Sequence, residues 1–516
     1  MFDPGTGIWS GGFAAGGGAL VAPGPGGVRA HCHRPPLVRP AALTRVPRPA
    51  RLPLAPAQER MWDAVRRGRS ADWNVAKAVR LRGMPIDTEA LCAAVRSVVA
   101  RHEPLRTRFL EGDTGPVQVI EEPAELDVDL GVRPCAEPEL ADVLGELACR
   151  PFDLAVAGPI RARVFVLAPD DVVLALVVHH IAVDGRSLGP LVRDLVTAYL
   201  AHRDGTPPEW RPLPVGYGDY TLWKHAQLGE FTDEWSRATQ QLRYWANALA
   251  GRPALLDLPA RDPADVAVDA DPVAGGLLPV SLPPRVHAGL LALARQGQAS
   301  LLMVLQAAFA LSVGAFARCA DVTVATAVSG RDHRLLDDLV GNFSDDVLLR
   351  VRLDRSADVD ELLDQVRRVA LAAYAHPDTP NPRLKRCLMQ DARLPLFQAT
   401  LILQRADAAR VARADTAAPG LSVSEVPTGV VRAKHDLEFG LTEHYDPAGA
   451  PAGIDGAFLY PLARFDRATV RSFLRRFEAV VEMLAGGYRG PLVALLAATD
   501  PAVVPVRARQ ATRILV

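Results

Sequence analysis

The chain has 516 residues, 49% of them hydrophobic, and 58 basic against 59 acidic side chains for a formal net charge of -1. That length calls for two domains or one large two-lobed body. The balanced charge gives no bulk attraction to nucleic acid or a membrane surface, and no run of about 18 apolar residues free of charges and breakers offers a membrane span. Six cysteines without C-x-x-C spacing fit unpaired thiols in a reducing cytoplasm.

Residues 1–52 are rich in Gly, Pro, Ala and Arg, with Asp3 as their only acid. Such a segment buries little apolar surface and is expected to be a disordered tail. It lacks the charged start, apolar centre and small-residue cleavage site of a secretory signal. Its His31-Cys32-His33 run has no second ligand cluster, so no metal site is expected. From Leu54 the texture turns globular. Helices are predicted at residues 57–66 and 87–102, the latter from Leu91, Val95, Val98 and Val99 at helical spacing. Strands are predicted at 75–81, 117–120, 160–167 and 172–178. A helix after Ser187, a proline-bearing loop and a helix over 235–249 complete a first lobe at 53–250.

The second half, 251–500, has the same mixed character. Helices are predicted at 284–296, 300–317, 359–375 and 467–484, and strands at 322–328, 347–353, 396–403, 421–426 and 436–443. Residues 501–516 read as a short C-terminal tail. No short repeat is present, which excludes a solenoid. The fold class is therefore α/β (α+β), with two lobes meeting near the Pro- and Asp-rich stretch at 250–275.

The most informative stretch is His179-His180-Ile181-Ala182-Val183-Asp184-Gly185. It follows the apolar 172–178 run and precedes Ser187-Leu188-Gly189-Pro190, a helix start, so polar side chains gather at a strand end where they can face a cleft. An HHxxxDG pattern of this kind is shared by enzymes that move acyl groups between thioesters and amines or alcohols.

Six companion segments make the resemblance specific. They are Leu54 to Trp62, Arg101-His102-Glu103-Pro104-Leu105-Arg106-Thr107-Arg108-Phe109, Tyr217 to Trp223, Val340-Gly341-Asn342-Phe343 with Leu349-Arg350, Ala375-His376-Pro377-Asp378, and Arg393 to Gln398. With the histidine motif they occur in the order of the signatures of the condensation domains of nonribosomal peptide synthetases, which the chain resembles over residues 53–490. The resemblance implies two chloramphenicol acetyltransferase-like lobes forming a V-shaped pseudo-dimer with a central tunnel, a floor at 340–348 and a latch around 434–443. Three departures from the family pattern stand out: Ser344-Asp345-Asp346 after Phe343, Pro377 and Thr379-Pro380-Asn381 in the sixth signature, and Arg186 after the Asp-Gly pair.

A thioester is already activated, so its transfer asks chiefly that donor and acceptor be held in register, which is worth roughly 7–11 kcal/mol. An α-amine, with a reference pKa near about 8, is partly neutral at cellular pH and needs positioning more than a base. An alcohol must lose its proton as it attacks. His180 is the expected catalytic group, and His179, on the other side of the strand, the expected support. By resemblance, Asp184 pairs with Arg331 to hold the loop; Gly185 is either a plain turn glycine or a backbone amide donor to the oxyanion. Arg186, Asn342, Ser344, Asp345 and Asp346 are the tunnel and floor candidates, and Arg60 and Arg106 are further candidates for lining the tunnel or contacting a carrier.

No adenylation signature and no carrier segment with a phosphopantetheine serine is found. The resemblance then implies a free-standing cytoplasmic enzyme that binds no cofactor or metal of its own. An acyl or peptidyl carrier protein delivers the donor on phosphopantetheine, and the acceptor is carrier-bound or a free small molecule. Three alternatives remain open: an epimerisation domain, for which Arg186-Ser187-Leu188-Gly189 is a poorer match; a polyketide- or lipid-associated acyltransferase; and an inactive recruiting domain like those of glycopeptide assembly lines, which have lost the second histidine.

Overall fold

The computed structural model describes residues 42–500 apart from 50, 114, 126, 263–265, 268–270, 379–380, 390, 392–393 and 407–420. The histidine motif is carried by the Asp171–His179 strand, in which Val172, Val173, Leu174 and Ala175 are all at most 2% exposed. A strand buried on both faces reads as an unbroken apolar run, which is the pattern seen here. It sits mid-sheet, antiparallel to Asn74–Arg82 on one side and Ile160–Ala168 on the other, with Asn74 opposite His179. Asp129–Pro134 closes the outer edge. Thr88–Arg101 and Leu188–Arg203 pack together in the same lobe. The first of these helices begins where Asp87 Oδ1 accepts the N–H groups of Glu89 and Ala90 at 3.0 and 2.9 Å, and it buries Leu91, Val95, Val98 and Val99 as its spacing predicts.

The second lobe is built on a six-stranded sheet in the order Asp345–Arg352, Asp321–Val328, Ala399–Arg405, Leu437–Tyr445, Pro451–Pro461, Gly275–Leu282. Its core packs Phe309, Phe439, Phe458, Phe473 and Phe477 from the sheet and from the Leu301–Phe316 and Arg467–Ala485 helices. Leu301–Phe316 is buried nearly all round, which explains an apolar sequence with little periodicity. Among the described residues no single helix is long and apolar enough to cross a membrane.

Several features depart from the sequence reading. Strands at Gly275–Leu282 and Pro451–Pro461 and helices at Leu140–Cys149, Tyr217–Leu228 and Asn381–Leu388 were not predicted. The glycines of the Pro451–Pro461 strand resemble turn residues, but Gly456 is there for contact: a Cβ on it would stand 2.0 Å from the Gly440 carbonyl oxygen of the neighbouring strand. The tail expected at 1–52 ends earlier. Leu43 is 4% exposed against Val215, Tyr217 and Phe343, Arg45 donates to the carbonyls of Leu213 and Pro214, and Leu52–Pro53 pairs with Val117 and Gln118. The latch expected at 434–443 is also displaced. Leu437–Tyr445 lies inside the second lobe's sheet, and the strand that crosses is Ser422–Val426, which pairs antiparallel with Asn74–Arg82 of the first lobe. The His31-Cys32-His33 run and residues 501–516 lie outside the described residues.

Candidate active site

His179 ends its strand and His180 opens a short 3-10 turn, so the two imidazoles diverge. His179 is fully buried, edge-on to Phe152 with ring centroids 6.1 Å apart, and its Nδ1 accepts the Ile181 N–H at 3.1 Å. Burial lowers its pKa to about 3, so it is a neutral structural ring. His180 is half-buried and lies edge-on to Trp73, centroids 5.9 Å apart and planes at 86°. Its Nδ1 is buried without a hydrogen-bond partner among the described residues. Burial first, then the charges of Lys434 and Arg60, hold its pKa well below the usual imidazole value.

Asp184 has a separate set of partners. Its Oδ1 accepts from Ser187 N (2.8 Å), Ser187 Oγ (2.8 Å) and an Arg331 N–H (3.1 Å), and its Oδ2 accepts from Phe343 N (3.2 Å). Arg331 also donates to Ser187 Oγ and to the carbonyls of Leu336 and Leu339, and its guanidinium lies 4.0 Å from the Phe343 ring centroid. Ser187 Oγ accepts the Gly341 N–H at 3.1 Å, tying the loop to the 340–344 segment. The carboxylate thus fastens the first lobe to the second. Gly185 and Arg186 are exposed, and a Cβ added to Gly185 would meet only the Gln404 amide, at 3.9 Å.

Among the floor candidates, Asn342 is corrected. It is fully buried, its Nδ2 donates to the Ala57 carbonyl at 3.2 Å, and its own carbonyl accepts from Tyr217 OH at 2.5 Å, so it holds the Pro56–Arg66 helix to the loop instead of lining an opening. Ser344 Oγ contacts Asn342 Oδ1 at 3.4 Å. Asp345 and Asp346 start the Asp345–Arg352 strand, and Asp346 forms an ion pair with Arg60. Of the two arginine candidates, Arg60 reaches the site, with its guanidinium 5.0 Å from the Trp73 ring centroid, while Arg106 donates to the carbonyls of Ala100 and Glu121.

The reading from sequence missed Trp73, Lys434 and Glu438. Lys434 Nζ lies 4.5 Å from the Trp73 ring centroid, and Glu438 accepts the backbone N–H groups of Lys434 and His435. The sequence carries a cue only for the last: an acid four residues after Lys434 at the start of a strand.

Burial pushes the Asp345 carboxyl up to about 8, with Arg60 opposing and Asp346 reinforcing the shift. The folded protein then holds a proton that the unfolded chain releases near about pH 4, so stability falls as pH rises from about 4 to about 8. Asp345→Asn keeps an oxygen for the Asp346 N–H, which Asp345 accepts at 2.8 Å, and removes the ionisable group. Thermal melts should show the variant more stable than the parent at pH 8, by an amount on the order of a few kcal/mol, with the gap closing toward pH 4. Parallel pH profiles for the two proteins would contradict a proton held there.

A family model described as the condensation domain matches residues 50–498. The chain belongs to the condensation-domain family. It is 40% identical over 448 residues to the probable nonribosomal peptide synthetase CymA of Salinispora arenicola, covering 86% of this chain and 6% of that protein. It is 39% identical over 451 residues to the isonitrile lipopeptide synthase of Mycobacterium tuberculosis, covering 86% and 18%. The condensation domain thus spans less than a fifth of the length of these relatives. Among solved structures, the X-domain from teicoplanin biosynthesis superposes with a TM-score of 0.78 at 31% identity, over 87% of this chain and 98% of that one. The first condensation domain of the calcium-dependent antibiotic synthetase gives 0.66 at 20% identity, over 86% and 99%, a likeness of fold. The two lobes therefore have the chloramphenicol acetyltransferase-like fold of condensation domains, in a chain related to the nonribosomal synthetases of natural-product biosynthesis.

Proposed function

We propose that this condensation domain is an acyltransferase that joins a carrier-borne acyl or aminoacyl thioester to an amine or alcohol. The observation that carries the reading is the placement of His180: at the strand end, edge-on to Trp73, in surroundings that hold its pKa below the usual imidazole value. In the reaction the acceptor's lone pair attacks the thioester carbon, the C–N or C–O bond forms, and the C–S bond breaks. The acceptor proton ends on the phosphopantetheine thiol. His180 accepts a hydrogen bond from the acceptor N–H or O–H, which aims the lone pair at the carbonyl. The Gly185 amide is the proposed donor to the developing oxyanion, with Arg186, Ser344 and Asp346 shaping the acceptor approach.

The test is transfer from an acyl-loaded carrier to panels of amines and alcohols, followed by mass spectrometry of the products. Acylated product above the His180→Ala level is expected; its absence with every acceptor would sink the proposal. A second reading has an observation of its own. The X-domain at 31% identity has been solved in complex with OxyB, so a recruiting role is the competing assignment. Stable binding of a partner enzyme with no turnover on any loaded carrier would favour it.

A further inference from the structure

Trp73 is the meeting point of three polar side chains from different parts of the chain. Its ring lies edge-on to His180, with Arg60 from the Pro56–Arg66 helix 5.0 Å and Lys434 from the second lobe 4.5 Å from its centroid. Lys434 is held there from behind. Glu438, at the start of the Leu437–Tyr445 strand, accepts the N–H groups of Lys434 and His435, the latter at 2.7 Å, which fixes the turn that delivers the side chain. The two cations differ in their partners. Arg60 is paired with Asp346, whereas the Lys434 ammonium stands on the indole with Glu438, Asp346 and Asp72 as the acids around it. The charged and titratable neighbours of His180 are Lys434, Arg60 and His179, and all three act against its protonation; burial lowers the pKa of Lys434 as well, and Glu438 opposes that shift and favours the ammonium.

We propose that Lys434 is a positioning residue of the reaction centre: set on Trp73 by the second lobe, its ammonium, together with Arg60, keeps the His180 imidazole a hydrogen-bond acceptor that gains little proton, and so favours amine over alcohol acceptors. This rests on the acyl-transfer reading above. An amine attacks through a lone pair it already has, and a neutral imidazole that accepts one N–H hydrogen bond suffices to orient it. The C–N bond forms, the C–S bond breaks, and the excess proton of the nitrogen passes to the departing thiolate. An alcohol must give up its proton during attack, and an imidazole held against protonation by two nearby cations takes that proton poorly.

The experiment compares the wild-type chain with Lys434→Met, which keeps an apolar stem of similar reach, and Lys434→Arg, which keeps the cation. The His180 ring is titrated by NMR, assigned by its absence in His180→Ala. Competing amine and alcohol acceptors are offered with one loaded carrier. Lys434→Met should move the His180 midpoint upward, bring the acid-side loss of activity to higher pH, and raise the ester-to-amide product ratio several-fold. Lys434→Arg should stay near the wild type in all three. Lys434→Gln replaces the Met variant in the same comparison if thermal melts show that the latter does not fold. A His180 midpoint that stays put in the folded uncharged variant, or an unchanged product ratio, overturns the inference. A wild-type chain that acylates no acceptor overturns the acyl-transfer reading instead, and the histidine titration still decides whether Lys434 acts on His180.

Discussion

Replacing Arg331 by Met is expected to destabilise the protein by about 3–5 kcal/mol, the cost of breaking a buried ion pair and stranding its partner. The site gives little room for escape. The Asp184 side chain is 2% and the Arg331 side chain 1% exposed, and the carboxylate already receives Ser187 and Phe343 N–H bonds that fix it in place. The change would leave the Asp184 charge without its ion-pair partner and take the Arg331 donor from the Leu336 and Leu339 carbonyls, of which Leu336 keeps the Leu339 N–H at 3.2 Å. Asp184→Asn with Arg331→Met should recover part of the loss, because no charge is then left buried alone. Urea unfolding followed by far- and near-ultraviolet circular dichroism checks both, and a loss below about 1 kcal/mol for Arg331→Met would place this pair with weak surface contacts. Transfer activity should fall with Arg331→Met as well, since Asp184 and Ser187 lose their tie to the Leu336 and Leu339 carbonyls of the second lobe. Such a loss reports the joining of the lobes, and an Asp184 variant that fails to turn over is no evidence for a catalytic aspartate.

How much of this was readable in the sequence depended on whether one segment carried its own signal. Asp171–His179 announces itself because a strand buried on both faces is apolar at every position, and Thr88–Arg101 because Asp87 caps a regular apolar stripe. Tyr217–Leu228 does not: Tyr217, Asp219, Tyr220, Thr221 and Lys224 are all buried there, so polar residues occupy the inner face and the usual contrast vanishes. Ser422–Val426 was readable as a strand, but its partner across the lobes was not, because pairing is a tertiary choice and the strand's own pattern is short. In the site, His180, Asp184 and Arg331 stand out through their motifs. Trp73, Lys434 and Glu438 are ordinary residues in ordinary surroundings until the lobes bring them together. The altered floor residues drew notice through their departure from the family pattern. Asn342 and Asp345 prove to be buried, and Asp346 is paired with Arg60.

His180→Ala should separate the two kinds of acceptor. Transfer to alcohols is expected to drop by about 10²-fold, the low end of what a positioned proton acceptor contributes, because Lys434 and Arg60 already make His180 a poor one. Transfer to amines is expected to fall by roughly 10-fold, because the amine keeps its own lone pair and loses only the hydrogen bond that orients it. The variant should fold, since the His180 Nδ1 makes no hydrogen bond among the described residues and the ring touches Trp73 only edge-on. The neighbouring histidine supplies the contrast. His179 is fully buried against Phe152 and its Nδ1 accepts the Ile181 N–H, so His179→Ala should cost stability first and activity only through it. Single-turnover rates with one acyl carrier and matched amine and alcohol acceptors, measured beside thermal melts, distinguish these cases. Equal losses for both acceptor types in folded His180→Ala protein would show that His180 does the same work for each, and would remove proton availability as the reason one acceptor class is favoured.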